Sequence, residues 1–241
     1  ANGYGGTGAL FQTGPGAAVV FDRGGASWAE VAFLTASNGA NGAQYGLEVG
    51  IEGGTAVVGA PNAGVHQGAA YVYEEVAGWS ETAILGSTAT AGTADDEVGS
   101  AVAIEQGRIY LGIPKYNGSK RVSVFEKTGP NWTETTALIP SDGTSLGGFG
   151  FGAAIAVAGQ RVCVSASSDD ALYAYDFGVT PPSCVCELPP VINECAKLTA
   201  FDAAPGLDKI FGAGVVVDED VVFVSAPFDG SAQPNSGAVY V

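Results

Sequence analysis

The chain has 241 residues, with 25 Asp and Glu against 9 Lys and Arg and a formal net charge of −16. That acidic excess excludes nucleic acid and anionic membrane surfaces as partners. With 37 glycines, 46% hydrophobic and 14% charged residues, the composition describes many short buried strands joined by tight turns, not a disordered segment; no apolar run approaches the ~18 residues of a membrane-spanning helix.

In chain order, residues 1–37 hold a degenerate apolar run, YGGTGAL, then an alternating run from Ala17 to Phe21 and a run that carries Trp28. Residues 44–88 form a complete unit of four runs, YGLEVGI, TAVVGAP, AAYVY and WSETAIL. A tight turn at Glu52-Gly53-Gly54 joins its first two runs, a polar loop from Asn62 to Gln67 joins the second to the third, and Val76-Ala77-Gly78 closes the last hairpin. The same plan recurs over residues 96–140 and 149–201, the latter carrying an insertion rich in Cys and Pro at 178–195. Residues 209–241 supply the first three runs of a further unit. Alternation in the third runs marks strands whose two faces pack differently, and no stretch has the length and 3.6-residue period of a helix.

Three markers keep one register through these units. A hydrophobe-Gly pair opens each at Tyr45-Gly46, Val98-Gly99, Phe151-Gly152 and Phe211-Gly212, in steps of 53, 53 and 60 residues. A triplet ends each second run, at Gly59-Ala60-Pro61, Gly112-Ile113-Pro114, Ser165-Ala166-Ser167 and Ser225-Ala226-Pro227, in the same steps. The fourth runs begin at Trp28, Trp79, Trp132 and Ile192, each two residues before a glutamate. A fixed period of this length with four strand-like runs predicts an all-β propeller of four-stranded antiparallel blades. The first runs, rich in Gly and Ala, belong at the crowded hub; the tryptophans belong on outer strands, between neighbouring blades. Three whole units flanked by two partial ones, both of which include a third run, predict part of a larger ring of six or seven blades. Its remaining blades would come from further sequence or another chain.

The units resemble FG-GAP repeats, the type that builds the integrin alpha-subunit propeller. Phe151-Gly152, Phe211-Gly212, Gly59-Ala60-Pro61, Ser225-Ala226-Pro227 and the closing Gly237-Ala238-Val239-Tyr240 carry the resemblance. It implies a secreted or cell-surface protein, and calcium loops in the turns between first and second strands. The turns here are too short for such a loop, and only Asp218, Glu219 and Asp220 cluster acids there, which makes them the candidate metal ligands.

Variable loops mark an interaction face, with Asn62, His66, Asp95, Asp96, Tyr116, Asp169, Asp170 and Asp229 as its candidate residues. Of these, the acids at 95, 96, 169 and 170 are second-line metal candidates, against a bland reading as solvated loops. The one histidine, His66, has no nucleophile or paired carboxylate at diagnostic spacing, so no catalytic constellation is assembled. Cys163, Cys184, Cys186 and Cys195 read as a disulfide framework of an oxidising compartment, with a metal site as the rival reading and, for Cys163, an ordinary buried thiol. Asn117 and Asn131 lie in glycosylation sequons. The functional expectation is a non-enzymatic extracellular interaction, adhesion or structural module with protein or glycan partners; the alternatives are a lectin propeller and, behind it, a secreted hydrolase or lyase.

Overall fold

A computed structural model describes residues 14–86, 96–114, 120–142, 150–177, 193–199, 211–218, 221–227 and 237–241. The strands form five antiparallel sheets in chain order. Sheet 1 pairs β1 (Ala18–Gly24) with β2 (Ser27–Leu34). Sheet 2 is β3 (Val49–Glu52), β4 (Thr55–Ala60), β5 (Ala69–Glu75) and β6 (Trp79–Leu85). Sheet 3 is β7 (Val102–Glu105), β8 (Arg108–Ile113), β9 (Arg121–Thr128) and β10 (Asn131–Leu138). Sheet 4 is β11 (Phe151–Ala158), β12 (Arg161–Ala166), β13 (Ala171–Asp176) and β14 (Asn193–Thr199). Sheet 5 has β15 (Val215–Asp218), β16 (Val221–Ala226) and β17 (Ala238–Tyr240). The loop at 62–67 contains one helical turn, Ala63–His66, and among the described residues no helix is long and apolar enough to cross a membrane.

Every sheet is an up-and-down meander, and successive sheets stack with their first strands side by side: β3 on β7, β7 on β11, β11 on β15. This is the predicted propeller arrangement, with the glycine- and alanine-rich runs inside. In all four described pairings of third with fourth strands the register slips once, beside Phe21, Tyr73, Glu134 and Tyr175. A bulge at that place strengthens the twist of each sheet.

The hydrophobic core is four layers between sheets, not one centre. Tyr45, Val58, Tyr71 and Tyr73 of sheet 2 meet Ala18 and Leu34 of sheet 1. Val57, Val72 and Leu85 meet Ile109, Leu111 and Phe125 across sheets 2 and 3. Tyr110, Val122, Val124 and Leu138 meet Phe151, Val162, Val164, Tyr173 and Tyr175 across sheets 3 and 4. Cys163, Leu172 and Ala174 meet Phe211, Val217 and Val224 across sheets 4 and 5. At about 25 cal/mol per Å² of apolar surface buried, each layer holds its two sheets together without a disulfide.

The two glycine markers turn out to be one contact. Gly46, Gly99, Gly152 and Gly212 all have φ between 85 and 95°, which a residue with a Cβ adopts only under strain. In that conformation Gly46, Gly99 and Gly212 donate their N–H to the carbonyl of Gly59, Gly112 and Ser225 of their own sheets, at 3.0, 3.1 and 2.9 Å. The opposite side of the triplet glycine then abuts the next sheet: a Cβ on Gly59 would stand 2.2 Å from the Gly99 oxygen, and one on Gly112 would stand 2.1 Å from the Gly152 oxygen. Opener and triplet share a register because they touch across the hub.

The tryptophans divide. Trp79 and Trp132 pack at inter-sheet layers as expected, and Trp132 Nε1 donates to Glu74 Oε1 at 3.4 Å. Trp28 does not; it is exposed, because among the described residues nothing covers its side of sheet 1.

Candidate interaction face

The loops joining second to third strands and the connections entering each sheet emerge together. Asn62 N–H donates to the Ala43 carbonyl at 3.1 Å, so the loop of sheet 2 is tied to the connection that enters its own sheet. From its other end, the carbonyls of His66 and Gln67 accept Glu97 N–H at 3.3 Å and Val98 N–H at 3.1 Å, reaching the start of sheet 3. Gly16 and Gly68 form parallel bridges to Tyr45 and Val98. Asp170 occupies the equivalent place in sheet 4, with φ of 47°, and its Oδ1 accepts Phe211 N–H at 3.0 Å. The opposite end is closed by hairpin turns, where the Glu52 carboxylate accepts Gln106 N–H at 2.6 Å and Gly107 N–H at 2.8 Å.

On the loop face, Asn62 and His66 share the single helical turn, with His66 Nδ1 3.3 Å from Asn62 Oδ1. Asp96, fully buried, adjoins Glu97 and thus the same boundary between sheets 2 and 3. At the next boundary Lys120 is buried against Gly150; burial pushes its ammonium below the usual lysine range, and the charge of Asp169 opposes that shift. Asp169 ends the 3-10 turn that Asp170 caps. These candidates therefore share one end of the molecule but are spread over three successive boundaries. Among the described residues, no cluster of three His, Cys, Asp or Glu could hold a metal ion.

Other predicted residues fall elsewhere. Asp218 ends β15, and its partners Glu219 and Asp220 lie outside the described residues, as do Asp95, Tyr116, Asp229, Asn117, Cys184 and Cys186. Asn131 is exposed at the start of β10. Cys163 and Cys195 carry free thiols; burial pushes the Cys163 thiol up to about 11, and Cys195 Sγ donates to the Ala174 carbonyl at 3.2 Å.

A set of anchors that the sequence reading did not assign holds the connections against the sheets. In sheet 2, Tyr73 donates to the Thr35 carbonyl at 2.8 Å while accepting from Tyr45 at 2.7 Å. Tyr71 donates to Asn38 Oδ1 at 2.7 Å, and the Glu81 carboxylate takes both Ser37 N–H at 2.9 Å and Ser37 Oγ–H at 2.6 Å. Burial drives the Tyr45 and Tyr73 hydroxyls well above the usual tyrosine range. Sheet 4 repeats the pattern: Tyr175 donates to the Ile139 carbonyl at 2.9 Å, Tyr173 to Asp142 at 3.0 Å, and Glu194 accepts Ser141 N–H at 2.9 Å. Lys197 completes it with an ion pair to Asp142, whose carboxyl it holds below the usual range. The repeated Tyr-x-Tyr of the third strands and the glutamate two residues after each Trp or Ile marker were the available signals.

The family model described as FG-GAP repeat matches residues 28–73 and 192–241. No curated protein matches the chain. Both matched stretches run from the start of a fourth strand to the third strand of the next sheet, so each spans one inter-sheet boundary with its hydrophobe-Gly opener. The chain is a β-propeller module in which residues 28–73 and 192–241 match the FG-GAP repeat; sheets 3 and 4 continue the same strand order between the two matched stretches.

Proposed function

We propose that this module is a non-catalytic, extracellular binding element that engages protein partners through the face bearing Asn62, His66, Asp169 and Asp170. The observation that carries the reading is the contrast between the two ends of the sheets. One end is tight hairpins; the other carries the longer loops, which are tied to the next sheet by backbone bonds from His66 and Gln67 and by the Asp170 carboxylate. A rigid scaffold with its sequence variation gathered on one end is the arrangement by which binding loops are presented. The exposed carboxylate of Asp169 on that end suits a basic group of a protein partner.

The lectin alternative requires equivalent pockets from sheet to sheet, whereas Gly68, Lys120 and Asp170 at equivalent positions offer a ligand three different chemistries. The test is a panel of matrix and cell-surface proteins beside a glycan array, with NMR shift mapping of any binder. Shifts confined to the loops at 62–67 and 167–170 support the proposal. Shifts at the hairpins, binding to glycans only, or turnover of a ligand would each overturn it.

A further inference from the structure

Two Asn-Gly pairs stand three residues apart in the connection from sheet 1 to sheet 2, each followed by alanine: Asn38-Gly39-Ala40 and Asn41-Gly42-Ala43. An asparagine followed by glycine is open to attack by the next backbone nitrogen on its own carboxamide, because glycine has no side chain to obstruct the approach and leaves the backbone free to turn. The local sequence gives both pairs the same reactivity, and both asparagines are exposed. Any difference between them comes from the fold.

The fold treats them differently. Asn38 Oδ1 accepts from Tyr71 at 2.7 Å, and Gly39 N–H donates to the Ala36 carbonyl at 3.2 Å. The residues just before are held on sheet 2 as well, through Tyr73 on the Thr35 carbonyl and Glu81 on Ser37. The Asn41 side chain, by contrast, makes no hydrogen bond among the described residues, and Gly42 N–H reaches the Gly14 carbonyl only at 3.4 Å, beyond the usual range of such a bond. Gly42, at φ of 82°, shares with Asn41 the centre of the turn that Ala43 N–H closes onto the Ala40 carbonyl.

We propose that Asn41 is a site of spontaneous covalent modification, from asparagine to aspartate and isoaspartate, and that the fold spares Asn38. The Gly42 amide nitrogen gives up its proton and bonds to Asn41 Cγ, while the Cγ–Nδ2 bond breaks and Nδ2 leaves as ammonia with that proton. Water then opens the succinimide ring at either carbonyl. Breaking the new N–Cγ bond gives aspartate; breaking the original peptide bond gives isoaspartate, in which the chain runs through Cγ. At Asn38 the same ring closure must first release Tyr71 and the Ala36 turn. The product adds a negative charge and, in isoaspartate, one more backbone carbon, close before the Ala43 carbonyl that holds Asn62 N–H. The event is independent of what the loop face binds.

The experiment is incubation of the full chain at mildly alkaline pH, then digestion at glutamates under acidic conditions and mass-spectrometric sequencing of the peptide 31–48, which carries both pairs. Methylation by an isoaspartyl methyltransferase reads the isoaspartate. In the folded parent Asn41 should convert about tenfold faster than Asn38, whereas in a synthetic peptide 31–48 the two should convert alike. Tyr71→Phe, which keeps the buried ring, should speed conversion at Asn38 and leave that at Asn41 unchanged. Equal rates in the folded parent, a faster Asn38, unequal rates in the peptide, or a Tyr71→Phe variant in which Asn38 stays slow would each overturn the inference.

Discussion

Sheet 3 and its neighbours, sheets 2 and 4, solve one problem with different side chains. In sheets 2 and 4 the third strand offers two tyrosine hydroxyls to the incoming connection, and the glutamate of the fourth strand takes a serine N–H from it. Sheet 3 has Ser123 and Phe125 where the others have tyrosines, and its glutamate, Glu134, is turned inward onto Arg121 and Ser123. The same marker glutamate therefore anchors a neighbouring segment in two sheets and neutralises a half-buried cation in the third. A conserved-looking spacing fixes where a side chain stands, and the residue across the strand decides what it does.

The largest expected effect separates the two arrangements directly. Glu134→Ala strands Arg121, whose side chain is only 14% exposed, and should cost about 3 kcal/mol in urea unfolding, with recovery in the double variant Arg121→Met/Glu134→Leu. Equal loss in the double variant would mean that the pair contributes net attraction. Glu81→Ala or Glu194→Ala should cost less, about 1.5 kcal/mol, because a charge-assisted bond to an exposed loop is lost without leaving a buried charge behind. Hydrogen exchange at the Ser37 or Ser141 amide should speed up in the corresponding variant, while amides of sheet 3 keep their protection; unchanged exchange would break the comparison.

The smallest effect is one of pH. The Lys197 ammonium lowers the Asp142 carboxyl, and Lys127 lowers that of Glu74. A carboxyl depressed in the folded state contributes stability above its ordinary value and loses it as the pH falls through the folded one. Stability should thus be level at neutral pH and decline below the ordinary values of 4.5 for Glu and 3.8 for Asp. Lys197→Met should flatten part of that decline, whereas Arg121→Met should leave the Asp142 share intact. Thermal melts from neutral pH downward read both.

Much of the architecture was legible in the chain. Glycine at a left-handed position and glycine under a neighbouring carbonyl have no substitute that fits without strain, so those residues recur and expose the period. The fourth-strand tryptophans were legible only in part: Trp79 and Trp132 have a sheet on their outer side and Trp28 does not, a difference of position in the row that leaves no trace in the local sequence. The tyrosine anchors were not legible because alternation in the third runs says that Tyr71, Tyr73, Tyr173 and Tyr175 share faces, not what their hydroxyls bond; the rings are buried, and the hydroxyls do the anchoring. The loop face was legible as a location, since length and polarity distinguish its loops from the hairpins, but its chemistry was not, because equivalent positions hold Gly68, Lys120 and Asp170.

The hub contact between Gly59 and Gly99, repeated by Gly112 and Gly152, has a consequence for how such a chain can change length. Each contact joins the end of one unit's second strand to the opening of the next unit, so the close approach at the triplet glycine always needs a neighbouring unit. Copying or removing one whole period leaves every such partnership satisfied, whereas a change of part of a period does not. Growth and shrinkage of this scaffold should therefore proceed by entire repeats, with the breakpoints free to fall anywhere so long as the phase is kept.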